Sequence, residues 1–212
     1  MNGERRFTRR LFIERAALVP VAIVVASCGG DGGDDESDPP EPDAAGTPVG
    51  PTPACEDGDE PTLEQTEGPY FTPDSPRRRS LRETGVRGRP LVVRGRVLTT
   101  SCRPVPRALL DFWQADGRGV YDNEGYRLRG HQFTDSRGRF RLETVVPGLY
   151  AGRTRHIHVK VQPPGGRVLT TQLYFPGEPR NRGDGIFDPA LVMRVRTADG
   201  RRRARFDFVV ET

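Results

Sequence analysis

Leu91-Val92-Val93-Arg94-Gly95-Arg96-Val97-Leu98 reads as a β-strand, because from residue 90 the pattern alternates with a period near two. The same reading extends outward to Ala108–Trp113, Arg139–Val145, His156–Val161, Leu169–Phe175, Leu191–Val195 and Ala204–Val210. These runs are short and rich in Val, Leu and aromatic residues, and Gly, Pro, Asn and Asp separate them at turn spacing. Asp116-Gly117-Arg118-Gly119 and Asp135-Ser136-Arg137-Gly138 look alike and mark turns at strand ends. No stretch of this region carries sustained helical periodicity, so the pattern predicts an all-β domain, an antiparallel β-sandwich.

Three segments are expected along the 212 residues. Residues 1–28 read as an export signal: a basic start (Arg5, Arg6, Arg9, Arg10, Arg15), then an apolar stretch from Ala16 to Ala26 that is shorter than the roughly 20 apolar residues a membrane span needs. Thr8-Arg9-Arg10-Leu11-Phe12-Ile13 resembles a twin-arginine signal, although the general secretory route stays open. Val25-Ala26-Ser27-Cys28 resembles a bacterial lipobox, which predicts acylation of Cys28 and an extracytoplasmic, membrane-tethered but not membrane-spanning protein. Residues 29–62 hold eleven acids, no Lys or Arg, and many Gly and Pro, the composition of an unstructured spacer. Residues 63–212 form the β domain.

Charge divides unevenly among these segments. The whole chain is +4, but the signal carries +3 and the spacer −11, which leaves residues 63–212 at +12. Nearly all of this is arginine, and Lys160 is the only lysine. The arginines are scattered over strands and loops without a nucleic-acid motif, so no nucleic-acid partner is expected. With Cys28 assigned to the lipid, Cys55 and Cys102 remain as a pair in an oxidising compartment, and a disulfide between them is predicted.

Two of the three histidines form His156-Ile157-His158. On a strand, residues i and i+2 point to the same face, so both imidazoles face one side, close enough to share a metal, while Ile157 packs on the other. His131 lies in a loop-like run and reads as a supporting residue rather than a ligand. Tyr121, in Gly119-Val120-Tyr121-Asp122-Asn123, and Tyr150, in Pro147-Gly148-Leu149-Tyr150, sit at strand or turn edges. Phenolate oxygen with imidazole favours a hard trivalent ion, whereas turn-capping tyrosines with buried rings are the plain alternative.

The sequence resembles the intradiol ring-cleavage dioxygenases, the family of catechol 1,2-dioxygenase and protocatechuate 3,4-dioxygenase, over roughly residues 55–190. The resemblance rests on separated blocks in the right order: Thr66-Glu67-Gly68-Pro69-Tyr70-Phe71; Leu110-Asp111-Phe112-Trp113-Gln114-Ala115-Asp116 with Gly119-Val120-Tyr121; Phe133-Thr134-Asp135 with Gly138-Arg139-Phe140; Pro147-Gly148-Leu149-Tyr150; His156-Ile157-His158; and Thr171-Gln172-Leu173-Tyr174-Phe175. It implies that Tyr121, Tyr150, His156 and His158 ligate Fe(III), that Arg153 is the active-site arginine and that Gln172 lines the pocket. The implied reaction cleaves catechol-type diols with O2 to cis,cis-muconate-type products, with Tyr150 as the ligand that leaves and takes a proton. Two departures stand out. The segment between Tyr150 and His156 is short, with Thr154-Arg155 in place of a Pro-Ala pair, so Arg155 competes with Arg153. The long helical N-terminal region of the catechol 1,2-dioxygenases has no counterpart, so their helical dimer interface is not expected and the oligomeric state stays open.

Other roles remain in view. Trp113 reads as core, and Glu67 and Tyr70 either close the pocket or order the N-terminal arm. A non-catalytic, exported β-sandwich that binds carbohydrate or cell wall is the main alternative function. A copper or zinc enzyme built on the two histidines is another.

Overall fold

The structure is a computed structural model that describes Cys55 and residues 60–150, 152–198 and 201–212. The expected signal, with Cys28, and all but Cys55 and the last three residues of the spacer lie outside the described residues. Among the described residues nine strands follow one another: β1 (Pro90–Thr99), β2 (Leu109–Trp113), β3 (Arg129–Phe133), β4 (Arg139–Val145), β5 (His156–Gln162), β6 (Leu169–Tyr174), β7 (Arg194–Ala198), β8 (Arg201–Arg205) and β9 (Phe208–Val210). Two short 3-10 turns, Pro179–Gly183 and Pro189–Leu191, precede β7, and the described residues hold no α-helix.

The strands form two sheets, one in the order β3-β2-β5-β6 and the other β4-β1-β8-β7 with β9 also paired to β1. The alternation of the opening stretch faces Leu91, Val93 and Val97 into the core and Arg94 and Arg96 outward. Across the interior they meet Leu110, Phe112, Ile157, Val159, Val161 and Leu173 of the other sheet. Each such side chain contributes about 1.5–3 kcal/mol on burial, which fixes the sandwich expected from the sequence.

The structure corrects the expectation in four places. The fold is not wholly antiparallel: β1 pairs antiparallel with β4 but parallel with β8 and β9. The single strand expected over 204–210 is two, because the Phe206 carbonyl turns into the space beside Gly95. A Cβ on Gly95 would lie 1.6 Å from that oxygen. There the Asp207 carboxylate, not a backbone carbonyl, accepts the Arg96 N–H at 2.8 Å. The strand expected at Leu191 starts at Arg194, since Asp188 caps a 3-10 turn through the Ala190 N–H and Leu191 is buried within that turn. Finally, His131 lies on β3 rather than in a loop. β3 escapes the pattern because its outward residues, Arg129 and His131, are polar groups covered by other chain segments.

Residues 60–81 are the main cover. This arm crosses the outer face of the β3-β2-β5-β6 sheet and is tied down by Gln65 N–H to the Thr170 carbonyl (2.8 Å), Ser75 to Asp111 (2.7 Å) and Arg78 N–H to the His131 carbonyl (2.9 Å). Glu67 pairs with Lys160, whose ammonium lies 3.6 Å from the centre of the Phe71 ring.

Cys55 and Cys102 stand with Cα atoms 5.3 Å apart, 47 residues apart in sequence, within the reach of a disulfide. In a Cys28→Ala background, the native chain should therefore resist thiol labelling until reduced. Replacing both cysteines by serine should lower stability by about 2–4 kcal/mol in chemical denaturation. Full labelling of both thiols without reductant would rule the bond out.

Candidate metal centre

The site lies on the outer face of the β3-β2-β5-β6 sheet, and strand register builds its floor. Arg129, Trp113, His158 and Gln172 are cross-strand neighbours and form one row over four strands. His156 stands one step along, opposite Tyr174. Because Ile157 and Val159 fill the core, both imidazoles are held outward, yet both are buried (4% and 3% exposed) under the arm and loops. Trp113, expected as core, stacks flat on His158 with ring centres 4.8 Å apart and an interplanar angle of 9°.

The two tyrosines arrive on loops that touch backbone to backbone. Gly148 N–H donates to the Asp116 carbonyl at 2.7 Å. A Cβ on Gly119 would lie 1.9 Å from the Leu149 carbonyl oxygen, and one on Gly148 would lie 2.2 Å from the Gly119 nitrogen. The glycines of Gly-Val-Tyr and Pro-Gly-Leu-Tyr therefore permit the approach that sets Tyr121 and Tyr150 together, with ring centres 5.5 Å apart. Asp116 stabilises its own turn by accepting from Arg118 and Val120 N–H.

The donor atoms converge. His156 Nδ1 lies 2.6 Å from the Thr154 carbonyl, which can only accept, so Nδ1 carries the proton and Nε2 keeps its lone pair. His156 Nε2 and His158 Nε2 are 3.1 Å apart, and the Tyr121 hydroxyl is 3.4 Å from His156 Nε2. Two nitrogens each about 2.1 Å from one ion and at right angles to each other would stand about 3 Å apart, so the spacing suits adjacent ligands of a single metal. Burial pushes His156 down to about 4 and His158 well below the usual imidazole value, with the neighbouring imidazole and Arg153 adding to the shift at His158. Both rings are thus neutral and available as ligands. Burial raises the Tyr121 phenol, so in the chain by itself it stays protonated.

Tyr150 is half-buried, and its hydroxyl shares a short hydrogen bond with Tyr70. That bond, followed by desolvation, raises the Tyr150 phenol. Tyr70 also stacks on Tyr121 with ring centres 4.5 Å apart. Of the two roles left open for the arm residues, Tyr70 is therefore in the site, whereas Glu67 pairs with Lys160 and holds the arm down. Gly68, at φ +71°, places its backbone over His158. His131 is remote in role: its Nδ1 bonds the Ser75 carbonyl at 2.6 Å.

The two candidate arginines part company. Arg153 Nε pairs with buried Asp184 at 2.8 Å, and its Nη2 donates to Gln172 (2.7 Å) and Tyr174 (3.3 Å). Its charge acts on Tyr121, His156 and His158. Arg155 turns away, to the Pro147 carbonyl (2.6 Å) and Glu178 (3.0 Å). Gln172, fully buried, accepts from Arg153 and donates to the Thr66 carbonyl at 2.9 Å, so it binds arm and arginine together. Asp184 also accepts the Thr154 N–H at 2.9 Å. Burial alone would raise its carboxyl, but these bonds and the Arg153 charge bring it below the usual value.

Three supporting residues had no role in the sequence reading: Asp184, Arg129 and Tyr174, the last quoted only as part of the block Thr171–Phe175. Arg129, almost wholly buried, donates Nε and Nη2 to the Asp122 carbonyl (3.1 and 2.7 Å) and Nη1 to the Tyr70 carbonyl, so it joins the Tyr121 loop to the arm. None of the three lies in a local motif with the ligands, and only strand pairing or loop return brings them near.

Known proteins resemble this chain over most of the β domain. A family model described as a dioxygenase matches residues 66–211. The dioxygenase domain of a dioxygenase–carbohydrate-binding protein fusion from the cellulolytic bacterium Streptomyces sp. SirexAA-E is 59% identical, with a TM-score of 0.70 over 72% of this chain and 99% of that one. Hydroxyquinol 1,2-dioxygenase of Rhodococcus opacus is 32% identical over 160 residues, 64% of this chain and 52% of the relative. Chlorocatechol 1,2-dioxygenase of Pseudomonas sp. strain P51 is 30% identical over 177 residues, 68% of each chain. The chain spans about half the length of the first curated relatives it matches.

Both histidines have depressed folded values, so the unfolded chain binds protons first as pH falls. Stability of the metal-free protein should therefore drop as pH falls from about 6.5 to about 4, where His156 takes up its proton in the folded chain. His158→Gln should flatten that slope in melting curves taken across this range; an unchanged slope would contradict the buried neutral pair.

Proposed function

We propose, for a chain that belongs to the intradiol ring-cleavage dioxygenase family, that it cleaves catechol-type diols between the two hydroxylated carbons and delivers both atoms of O2 into a cis,cis-muconate-type product. The observation that carries this reading is the convergence of two neutral imidazole Nε2 atoms, 3.1 Å apart, with the Tyr121 hydroxyl 3.4 Å from one of them. His158 Nδ1 is buried without a hydrogen-bond partner among the described residues, so this ring's fixed polar contact is on the Nε2 side, where the other donors meet. Imidazole serves zinc, copper and iron alike, and it is the two phenol oxygens, hard anionic donors once ionised, that favour Fe(III) over copper or zinc.

Tyr121, Tyr150, His156 and His158 would hold the ion. When bound, a ferric ion supplies Lewis acidity that brings phenolic oxygens into their anionic form near neutral pH. The residues then divide the work. Tyr150 is the least enclosed donor and already has a second partner in Tyr70, so it is suited to give up its place to a catechol oxygen and take that oxygen's proton. Access for the ring requires the Tyr70–Tyr150 pair to part. Arg153 is fixed at two of its nitrogens, so its positive charge is already in place for negative charge that develops on the substrate as the ring attacks O2. Gln172 positions Arg153, and Trp113 excludes water from one face of His158.

The fusion from Streptomyces bears on the binding-module alternative. This chain matches the fusion's dioxygenase domain, and over nearly all of its length, which favours the catalytic reading. Export and acylation of Cys28 stand as a second proposal, resting on Thr8–Ile13 and Val25–Cys28. Labelled fatty acid should enter the full chain and not Cys28→Ala.

Purified protein loaded with ferric iron should be red-brown from tyrosinate-to-iron charge transfer and should consume O2 with catechol, hydroxyquinol or protocatechuate. Tyr121→Phe should weaken the band, and His158→Ala should lose iron by elemental analysis. Each should lower turnover by at least about a hundredfold. Full turnover in both variants would refute the site.

A further inference from the structure

The opposite face of the sandwich carries an arginine array that the catalytic reading does not use. The register of the β4-β1-β8-β7 sheet sets Arg141, Arg94, Arg205 and Arg194 side by side, one on each of four consecutive strands. With strands about 4.8 Å apart, the row runs about 14 Å. Arg203 and Arg196 form a second, parallel pair two residues along, and Arg139 and Arg96 a third on the other side of the row. All eight point away from the core, because their neighbours Val93, Phe140, Leu142 and Ala204 point into it. Three carboxylates answer them: Asp135 pairs with Arg139, Glu143 with Arg141 and Asp207 with Arg205. Arg94, Arg96, Arg194, Arg196 and Arg203 are exposed and make no ion pair among the described residues.

Like charges placed directly opposite each other on neighbouring strands destabilise a sheet. An arginine-rich composition alone does not require four of them in one cross-strand line. The cost is relieved when an anionic partner lies over the row. The face is the outer surface of a sheet, and none of its outward positions on β1, β4, β7 or β8 carries an aromatic ring for stacking on a sugar or a base. A two-dimensional array of exposed guanidinium groups matches a layer of phosphate headgroups, which presents negative charge in a plane without fixed register.

We propose that this face docks the domain on an anionic phospholipid bilayer. The metal centre is on the outer face of the other sheet, so docking in this orientation leaves the catalytic side turned toward solvent. The proposal does not depend on the reaction, and acylation of Cys28 would only raise the local concentration of the surface.

The test is co-sedimentation of the full chain, as Cys28→Ala so that no acyl group contributes, with vesicles of phosphatidylcholine alone or mixed with phosphatidylglycerol. At 0.1 M NaCl the mixed vesicles should pull down at least about tenfold more protein than the neutral ones, and 1 M NaCl should release it. Arg94→Glu/Arg194→Glu/Arg203→Glu should lower that binding about tenfold or more, whereas Arg180→Glu/Arg182→Glu, exposed residues of the turn before β7, should keep most of it. Circular dichroism shows whether the triple variant folds; if it does not, the salt release and the neutral-vesicle comparison on the Cys28→Ala chain still decide. Equal binding to neutral vesicles, retention in 1 M NaCl, equal loss in both charge-reversed variants, or capture by soluble polygalacturonate or polyphosphate but not by vesicles would each overturn the proposal.

Discussion

The register that sets Trp113 opposite His158, and His158 opposite Gln172, is the constraint on which the rest of the structure depends. A slip of one residue would send both imidazoles into the apolar interior and expose Ile157 and Val159. The core pays for the site: Ile157, Val159 and Val161 hold β5 in place on one face while the polar residues on its other face are brought into line. The loops on that outer face then need only deliver two phenols to a point already defined by two nitrogens.

Those loops are held by polar contacts that would be costly to leave unmade in a buried setting. Arg129 joins the Tyr121 loop to the arm, and Gln172 joins the arm to Arg153, so the cover of the site and its cation are fixed by the same few groups. Asp184 completes the set by holding both the guanidinium and the backbone of Thr154, the residue whose carbonyl fixes the His156 tautomer. The orientation of the cation and the lone pair of one imidazole thus meet in a single carboxylate.

How much of this was legible follows from how local each signal is. His156-Ile157-His158 declared its geometry because strand alternation acts over two residues. The core strands declared themselves for the same reason. Strand β3 did not, since Arg129-Gly130-His131-Gln132 is polar on a face that other segments bury, and polar burial has no period. Tyr121 and Tyr150 were visible as turn residues, but their approach depends on Gly119 and Gly148 lying against each other, a contact between distant loops. The contest between Arg153 and Arg155 could not be decided from spacing. Asp184, 31 residues beyond Arg153, pairs with Arg153, whereas Arg155 turns to Glu178, and neither carboxylate shares a motif with the arginine it holds. The break at Phe206 was hidden because it depends on the missing side chain of Gly95, 111 residues earlier.

The chain has a single tryptophan, and it lies flat against one imidazole of the candidate metal centre. All of the indole fluorescence of the molecule therefore arises against a ring that the proposed ferric ion would bind. A paramagnetic ion at that distance quenches an excited indole efficiently. A ferric ion held as proposed would give the protein its own optical gauge of how full the site is, readable without substrate and without any attached dye.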